Sequence, residues 1–307
     1  MTVEDFLRYL LAEREASPLT VSTYRDALED YEEYLRKVDG GISLEDADSD
    51  IIRGWVEDMM DRGYKATNTC KKLSAVRSLY KYALKQGIME KDPAHGVSGP
   101  KKDKVLPTFL RESEADMLFD SLEWDDNNIK DVRARTLLLL FYTTGIRRAE
   151  ATDLRDADID FTTHEVKVTG KRRKQRIVPL GAEITRELER YIQLRDATLP
   201  PADASGAFFR DDKGRKMTGS QVYAIVRRYL SLVTTQKKRS PHVLRHSFAT
   251  AMLNHDAKLG SVQKLLGHES LDTTQIYTHV TFEELKRSYS NAHPREAQAE
   301  PADTGKH

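Results

Sequence analysis

Six residues between positions 147 and 277 have side chains that could together hold and cleave one phosphodiester. They lie in the segments Thr144-Gly145-Ile146-Arg147, Gly170-Lys171, His242-Val243-Leu244-Arg245, Leu266-Gly267-His268 and Ile276-Tyr277. Arginine presents a planar fork to phosphate oxygens, and histidine moves protons near neutral pH. Lysine can protonate a leaving oxygen, and tyrosine is a possible covalent nucleophile. These residue types predict attack on a phosphate without a metal ion.

The spacing of these residues predicts how they are positioned. His242 and Arg245 are three residues apart on a predicted helix over 241–254, so they share one face. The N-terminus of that helix offers unpaired N–H groups to an anion. Arg147 follows a helix-ending glycine and is expected at a turn, where Glu150 could hold it. Lys171 is expected at the tip of a hairpin, within reach of a substrate.

The elements that must position these residues follow from the apolar spacing and the turn signals. The first hundred residues predict four helices, over 3–15, from Thr20, from Ser49 and over 67–86, with Thr20, Ser49 and Thr67 as caps. Three short strands are predicted over 159–161, 165–169 and 176–179, and Phe208-Phe209 could add another. Further helices are predicted from 111–114 and over 131–143, 182–196, 220–232, 241–254, 261–266, 272–278 and 282–291.

Breaks in this pattern predict two domains. Residues 1–98 are expected to form an all-α domain, and residues 99–107, rich in Gly, Pro and Lys, a basic linker. Residues 108–293 predict a mixed α+β domain with a small antiparallel sheet. The polar tail, 294–307, is expected to be disordered.

Charge is balanced over the chain but not along it. There are 49 Lys and Arg against 49 Asp and Glu, yet residues 1–61 carry six basic and seventeen acidic residues, and residues 62–91 carry eight and one. Local basic stripes bind phosphates even when the molecule is neutral. The candidate DNA-binding residues are Lys71, Ser74, Arg77, Lys81 and Lys85 on the fourth helix, Lys101 and Lys102 in the linker, and Arg172, Arg173 and Lys174 beside Lys171. The alternative is a set of solvated faces.

Other features restrict the compartment. A single cysteine, Cys70, excludes an internal disulfide and is typical of a small helix residue in a reducing environment. The acidic N-terminus does not look like a secretory signal, and the longest apolar stretch, 137–142, is far below the ~20 residues that span a bilayer. We therefore expect a cytoplasmic protein with no membrane contact and no cofactor.

The ordered combination of motifs resembles the tyrosine site-specific recombinases of the phage-integrase family, above all the Xer type. The matching segments are TTGIRRAEATDL, VTGKRRKQRIVPLG, SPHVLRHSFATAML and VQKLLGHESLDTTQIYTHV. The first half is similar to the family's helical core-binding, SAM-like domain. The resemblance spans residues 1–293 and implies a mainly α protein whose two domains form a C-shaped clamp on DNA. Arg148 and the basic turn after Lys171 depart slightly from the family pattern.

The resemblance also implies a role for each residue. Arg147 and Arg245 would clamp the phosphate, Lys171 and the histidines His242 and His268 would complete the set, and Tyr277 would be the nucleophile. The implied reaction forms a 3′-phosphotyrosine and a free 5′-OH without ATP. His242 would accept the tyrosine proton and Lys171 would protonate the leaving 5′ oxygen.

The family resemblance implies a tetramer on two double-stranded DNA sites, with the last helix, over 282–289, packed on a neighbouring subunit. A second recombinase and a DNA translocase are possible partners. The absence of an extra N-terminal arm-binding domain favours resolution of chromosome dimers. A DNA invertase or a mobile-element integrase remains the alternative within the family.

Readings outside the recombinases also stay open at this point. A DNA-binding protein without chemistry would explain the basic helix but not the placement of Lys171 and Tyr277. A single-subunit type IB topoisomerase would use related chemistry. A metal enzyme would use His242, His246, His255, His268 and His279, whose spacings match no familiar zinc pattern.

Overall fold

The chain forms two compact units in a computed structural model. The structure describes residues 1–38, 40–101, 108–170, 174–203, 205–267 and 282–295. The first unit comprises Met1–Val105 and the second Leu106–His307. Within these described ranges, no helix is both long and apolar enough to cross a membrane.

The first unit consists of helices packed around one apolar core. They are α1 (Val3–Ala12), α2 (Pro18–Lys37), α3 (Ser49–Asp61) and α4 (Ala66–Lys85). Trp55 of α3 is fully buried against Tyr31 of α2, whose hydroxyl lies 3.1 Å from that of Tyr80 on α4. Tyr80 also donates to the Leu44 carbonyl at 3.0 Å. Each of these two buried tyrosine hydroxyls therefore has a hydrogen-bond partner.

The helix starts differ from the predicted caps by a few residues. Ser17, not Thr20, caps α2, because its hydroxyl accepts from the Thr20 N–H at 3.1 Å. Asp48, not Ser49, caps α3 by accepting from two backbone N–H groups. Lys65 rather than Thr67 stands at the cap position of α4, without a side-chain cap. Neighbouring positions can each serve as a helix cap, and the residue at which the first helical turn begins determines which one does.

The second unit is also mainly helical. Its helices are α5 (Glu112–Asp116, continued by a π-helical turn over Met117–Ser121), α6 (Ile129–Thr144), α7 (Arg148–Asp153), α8 (Ala182–Thr198), α9 (Gly219–Val233), α10 (Pro241–Asn254), α11 (Leu259–Leu266) and α12 (Phe282–Ala292). Helix α6 is buried over most of its surface and packs against α8, α9 and α10. It therefore forms the centre of this unit, as an all-round apolar helix should.

A small antiparallel sheet lies beside these helices. Its strands are β1 (Ile159–Asp160), β2 (Glu165–Thr169) and β3 (Gln175–Pro179), in the order β1-β2-β3. Val166 pairs with Val178 on the buried face, whereas Lys167 pairs with Ile177 on the exposed face. The predicted strands are confirmed to within a residue. Lys171–Arg173, which come between β2 and β3 in the chain, lie outside the described residues.

One expectation for the second unit is wrong, and another is not tested. Phe208 and Phe209 do not form a strand, and both are fully buried against Tyr191 of α8. Their apolar character reflects core packing rather than strand pairing. The helix predicted over 272–278 lies outside the described residues.

The last described helix packs on its own unit. Helix α12 contacts α10 and α11, and its Tyr289 is buried. His293, just beyond the helix, is fully buried beside Phe248 and Tyr142, and burial lowers its pKa to about 4. The expected packing of this helix on a neighbouring subunit concerns an assembly and stays a prediction.

Candidate active site

Three arginines from separate elements converge on the C-terminal end of α11. Arg176 Nε donates to the Leu265 carbonyl at 2.8 Å, Arg245 Nη2 to the Leu266 carbonyl at 2.7 Å and Arg147 Nη2 to the Gly267 carbonyl at 3.0 Å. The last carbonyls of a helix have no partner within it and carry partial negative charge. The end of α11 therefore gathers the side chains that we call the arginine cluster, Arg147, Arg176 and Arg245.

Arg147 is held at the turn before α7 by Glu150, as the sequence predicted. Its backbone N–H donates to Glu150 Oε2 at 2.7 Å, and its Nη1 donates to Glu150 Oε1 at 2.9 Å. The Arg147 side chain remains 39% exposed, whereas that of Glu150 is buried. Arg147 is thus oriented from behind and still open to a phosphate.

Arg245 lies on the buried side of α10. Its guanidinium donates to the carbonyl of Gly145, the residue that ends α6, as well as to Leu266. Burial lowers the pKa of Arg245 to about 10, with a further contribution from the nearby charge of Arg147. Arg245 nevertheless keeps its charge at neutral pH, so an anion placed here would meet a positive charge.

Gly145 brings α6 close enough for this contact. Its φ of +61° ends the helix in the left-handed region, where glycine is unstrained. A Cβ at this position would lie 2.5 Å from Phe248 Cδ1 and 2.8 Å from Leu266 Cδ2. Only a glycine therefore lets the carbonyl that receives Arg245 sit against α10 and α11.

His242 is exposed one turn before Arg245 on α10. Desolvation lowers its pKa, and the charges of His246, Arg245, Arg148 and Arg147 lower it further. His242 thus lies on the same helix as Arg245 of the arginine cluster, three residues before it. A neutral imidazole near pH 7 can accept a proton.

The other predicted site residues fall outside the described parts of the chain. They are Lys102, Lys171, Arg172, Arg173, His268 and Tyr277. Gly170 and Gly267 are the residues that come immediately before Lys171 and His268, and both contact the site described here.

The basic face of α4 is solvent-facing in most positions. Lys71, Ser74, Lys81 and Lys85 are exposed, as are Lys101 beyond the helix and Lys174 just before β3. Arg77 is partly buried and donates to the Val97 carbonyl in the loop that follows α4. Lys85 Nζ lies 5.4 Å from the ring centre of Tyr9. We call Lys71, Ser74, Arg77, Lys81 and Lys85 the α4 face.

Ser74 turns its hydroxyl back to the Cys70 carbonyl at 2.8 Å, so it presents mainly a small surface outward. Among the described residues, no carboxylate pairs with Lys71, Lys81, Lys85 or Lys101. The face therefore keeps its positive charge unneutralised within the described chain, which suits contact with phosphates.

Sequence reasoning missed the partner that completes the Arg147 site. Arg176 belongs to the same basic stretch of sequence as Arg172, Arg173 and Lys174, yet it points inward and binds Glu150 through two parallel hydrogen bonds of 2.9 Å. Burial would raise the pKa of Glu150, but hydrogen bonds from Arg176 and Arg147 outweigh it and bring the value to about 2. The alternation of side chains along a strand could have predicted this, because Arg176 is two residues before the buried Val178 and so lies on the same face of β3.

Metal-binding clusters were sought in the same described ranges. There, no group of three or more His, Cys, Asp or Glu side chains could hold a metal ion. His255, one of the histidines of the metal alternative, instead lies 3.0 Å from Glu112. His268 and His279 of that alternative lie outside the described residues.

Comparison with protein families assigns both units. Residues 108–284 match the Phage integrase family, and residues 3–87 match the phage integrase N-terminal SAM-like domain. Together these matches cover most of the chain, so the chain belongs to the phage integrase family. The fold and site accordingly define a tyrosine recombinase, an enzyme that cuts and rejoins DNA.

Individual relatives indicate which type of tyrosine recombinase the chain resembles. The chain is 37% identical to tyrosine recombinase XerC of Chlorobaculum parvum, over 95% of this chain and 94% of that protein. It is 35% identical to tyrosine recombinase XerD of Oceanobacillus iheyensis, over 95% of this chain and 98% of the relative. The chain is a site-specific recombinase and is similar to Xer recombinases of both names.

Solved structures agree with this assignment. The XerH site-specific recombinase bound to palindromic difH substrate, in a post-cleavage complex, superposes with a TM-score of 0.71 at 25% identity, covering 90% of this chain and 81% of that one. The Tn1549 transposon integrase in complex with transposon right end DNA gives a TM-score of 0.71 at 18% identity, over 94% and 98%. The second likeness concerns the fold alone.

Proposed function

We propose that this protein is a Xer-type recombinase that resolves chromosome dimers at a fixed DNA site. The observation that carries the proposal is the convergence of Arg147 and Arg245 beside His242, in a chain similar over nearly its whole length to XerC and XerD. Two oriented guanidinium groups suit the two non-bridging oxygens of a phosphate. Such a role links the protein to chromosome partition and cell division in the cytoplasm.

Arg147 and Arg245 stabilise the charge that develops on the scissile phosphate. Both are held by backbone carbonyls, and Arg147 also by Glu150, so they need little reorganisation when the transition state forms. His268, the residue after Gly267, adds a hydrogen bond to the same oxygens. This part of the mechanism consists of electrostatic stabilisation by a prearranged site.

Tyr277 carries out the covalent step. Its hydroxyl oxygen forms a bond to phosphorus while the bond from phosphorus to the 5′ oxygen breaks. His242, which its lowered pKa keeps neutral near pH 7, accepts the tyrosine proton, and Lys171 gives a proton to the leaving 5′ oxygen. The products are a 3′-phosphotyrosine and a free 5′-OH, and reversal of the step rejoins the strand without ATP.

DNA binding uses both units. Residues 1–98 form the core-binding domain, with the α4 face against phosphates. Residues 99–107 form a basic linker in which Lys101 and Lys102 add contacts. Residues 108–293 form the catalytic domain, where Arg172, Arg173 and Lys174 contact DNA beside Lys171. The active assembly is a tetramer on two sites, built from this chain alone or with a second recombinase, and a DNA translocase is a possible regulator.

Covalent trapping tests the proposal. The purified protein is incubated in EDTA with nicked suicide duplexes that carry candidate recombination sites, and the products are run on a denaturing gel. We expect a protein–DNA adduct from the unaltered chain and none from Tyr277→Phe, with both proteins shifting the same duplex in a native gel. The Tyr277→Phe variant is the matched control because it removes only the hydroxyl.

Each of the other outcomes would favour a different function. An adduct that persists in Tyr277→Phe would assign the nucleophile elsewhere. Binding without any adduct, even when a second recombinase is supplied, would favour a non-catalytic DNA-binding protein. Inversion or insertion of a test plasmid, with no conversion of dimers to monomers, would contradict the chromosome-dimer role and leave the chemistry in place.

A further inference from the structure

The Glu150 carboxylate has an unusually complete set of donors. Oε1 accepts from Arg147 Nη1 and Arg176 Nη1, both at 2.9 Å. Oε2 accepts from the Arg147 backbone N–H at 2.7 Å and from Arg176 Nη2 at 2.9 Å. A carboxylate offers about four acceptor positions. Arg147 is therefore held by an acid that is itself fixed by Arg176.

Arg176 is placed to hold rather than to bind substrate. Its Nη1 and Nη2 bind Glu150, and its Nε binds the Leu265 carbonyl at 2.8 Å. Its side chain is 15% exposed, compared with 39% for Arg147. All three guanidinium nitrogens of Arg176 thus have a partner, whereas the side chains of Arg147 and Arg245 donate to other described residues only through Nη1 and Nη2.

Two glycines bring this pair against the segments that carry further proposed catalytic residues. A Cβ on Gly170, just before Lys171, would lie 3.2 Å from Glu150 Oε1. A Cβ on Gly267, just before His268, would lie 3.2 Å from Arg176 Nη1. The Glu150–Arg176 pair therefore contacts the chain immediately before Lys171 and immediately before His268.

We propose that Arg176 is a positioning residue that fixes Arg147, through Glu150, and sets the segments bearing Lys171 and His268 relative to it. Arg176 lies on β3, the strand that follows Lys171 in the chain, and its side chain reaches the end of α11, the helix that precedes His268 in the chain. One side chain thus joins three parts of the active site. The inference rests on the proposed function, because it assigns Arg176 a part in the same strand cleavage.

The test compares variants on three suicide substrates. Arg176→Gln removes the charge and the bidentate bond, and Arg176→Lys keeps the charge but cannot bridge Glu150 and Leu265 together. Arg190→Gln is the matched control, because Arg190 forms a surface ion pair with Asp126 at 2.6 Å in the same unit. The substrates carry a normal scissile phosphate, a neutral methylphosphonate or a 5′-bridging phosphorothiolate.

On the normal phosphate we expect Arg176→Gln to cleave about 100-fold more slowly than the unaltered chain, with DNA affinity within about twofold. The methylphosphonate lacks the charge that Arg147 neutralises, and the phosphorothiolate leaves without a proton from Lys171. The deficit should therefore shrink to about tenfold or less on at least one of them. Restored cleavage of the methylphosphonate would show that Arg176 acts through Arg147, and restored cleavage of the phosphorothiolate that it acts through Lys171.

The inference would be overturned if Arg176→Gln lost the same factor in cleavage rate on all three substrates, or lost none on any of them. The cleavage rate of Arg176→Lys should lie between those of Arg176→Gln and the unaltered chain. If thermal unfolding shows that Arg176→Gln is not folded, Arg176→Lys is compared on the same three substrates instead. The unaltered chain is the reference for the proposed function. If it forms no adduct on any substrate, the recombinase assignment fails, whereas an active reference with equal losses in the variants refutes only the role of Arg176.

Discussion

The α4 face and the arginine cluster carry the same sign of charge in opposite settings. Lys71 and Lys81 extend into solvent without a carboxylate partner in the described chain. Arg245 is 7% exposed, and every member of the arginine cluster donates to a main-chain carbonyl. The first region can adapt to a charged polymer, whereas the second holds its geometry before any substrate arrives.

This difference assigns the two regions to different steps. Exposed lysines gain affinity mainly by releasing counterions from DNA, a contribution that added salt removes. Arginines fixed by a helix end and a carboxylate act on charge that appears during the reaction, with little dependence on salt. Substitutions in the α4 face should therefore change binding, and those in the arginine cluster should change cleavage.

Arg245→Ala is expected to show the largest difference between its effect on cleavage and its effect on DNA binding. Cleavage of a suicide substrate should fall up to about 1,000-fold, because one of the two guanidinium groups on the phosphate is lost. DNA affinity in a native gel should change little, since the α4 face is intact. Arg245→Lys is the control that keeps a charge without the planar fork, and it should recover only part of the rate. A weaker complex with a normal cleavage rate would reverse the assignment.

Acid unfolding should show how strongly the site is held. The folded pKa of Glu150, about 2, lies below its ordinary value of 4.5. The ionised carboxylate therefore stabilises the fold above about pH 4.5, and this contribution disappears as the pH falls toward 2. Its size is about 3 kcal/mol of unfolding free energy.

Denaturant unfolding at a series of pH values measures this, with Trp124 fluorescence as the probe in a Trp55→Phe background. Trp124 belongs to the second unit and its Nε1 donates to the Leu118 carbonyl at 3.2 Å. Glu150→Gln should flatten the acid limb of the stability curve. An unchanged slope in that variant would mean that other carboxylates cause the acid loss.

The pH dependence of cleavage should reveal a smaller effect at His242. Desolvation, His246 and the nearby arginines lower its pKa, so the imidazole stays neutral below the ordinary value of about 6.5. The cleavage rate should hold down to that lowered pKa and then fall by about tenfold per pH unit as the base is protonated. His242→Gln should be slower and lack this limb. A limb that persists in His242→Gln would belong to another group.

The smallest effect is expected from Lys81→Ala on the α4 face. DNA affinity should fall a few-fold for every sequence tested, and the slope of log affinity against log salt should decrease by about 1. Lys37→Ala is the matched control, because Lys37 lies in the same unit but pairs with Glu33 at 2.6 Å. An equal loss in both variants would indicate a general charge effect and not a DNA face.

Much of the fold could be predicted from the sequence because local signals were strong. Period-two alternation located β2, and the Pro241 start and apolar spacing located α10. Helix starts were less certain, since neighbouring Ser, Thr and Asp residues are all good caps. The pair Phe208-Phe209 was ambiguous, because a short apolar run fits a strand or a buried loop equally well.

The sequence by itself determined the residue types of the site. It also determined the contact between Arg147 and Glu150, because these two residues are only three apart on the chain. Only the tertiary structure decided that Arg176 faces inward and that the end of α11 collects three arginines. Those contacts join Arg176 to Leu265 and Arg147 to Gly267, carbonyls that lie far along the chain. Main-chain oxygens carry no residue-specific signal, so only folding shows where they meet a side chain.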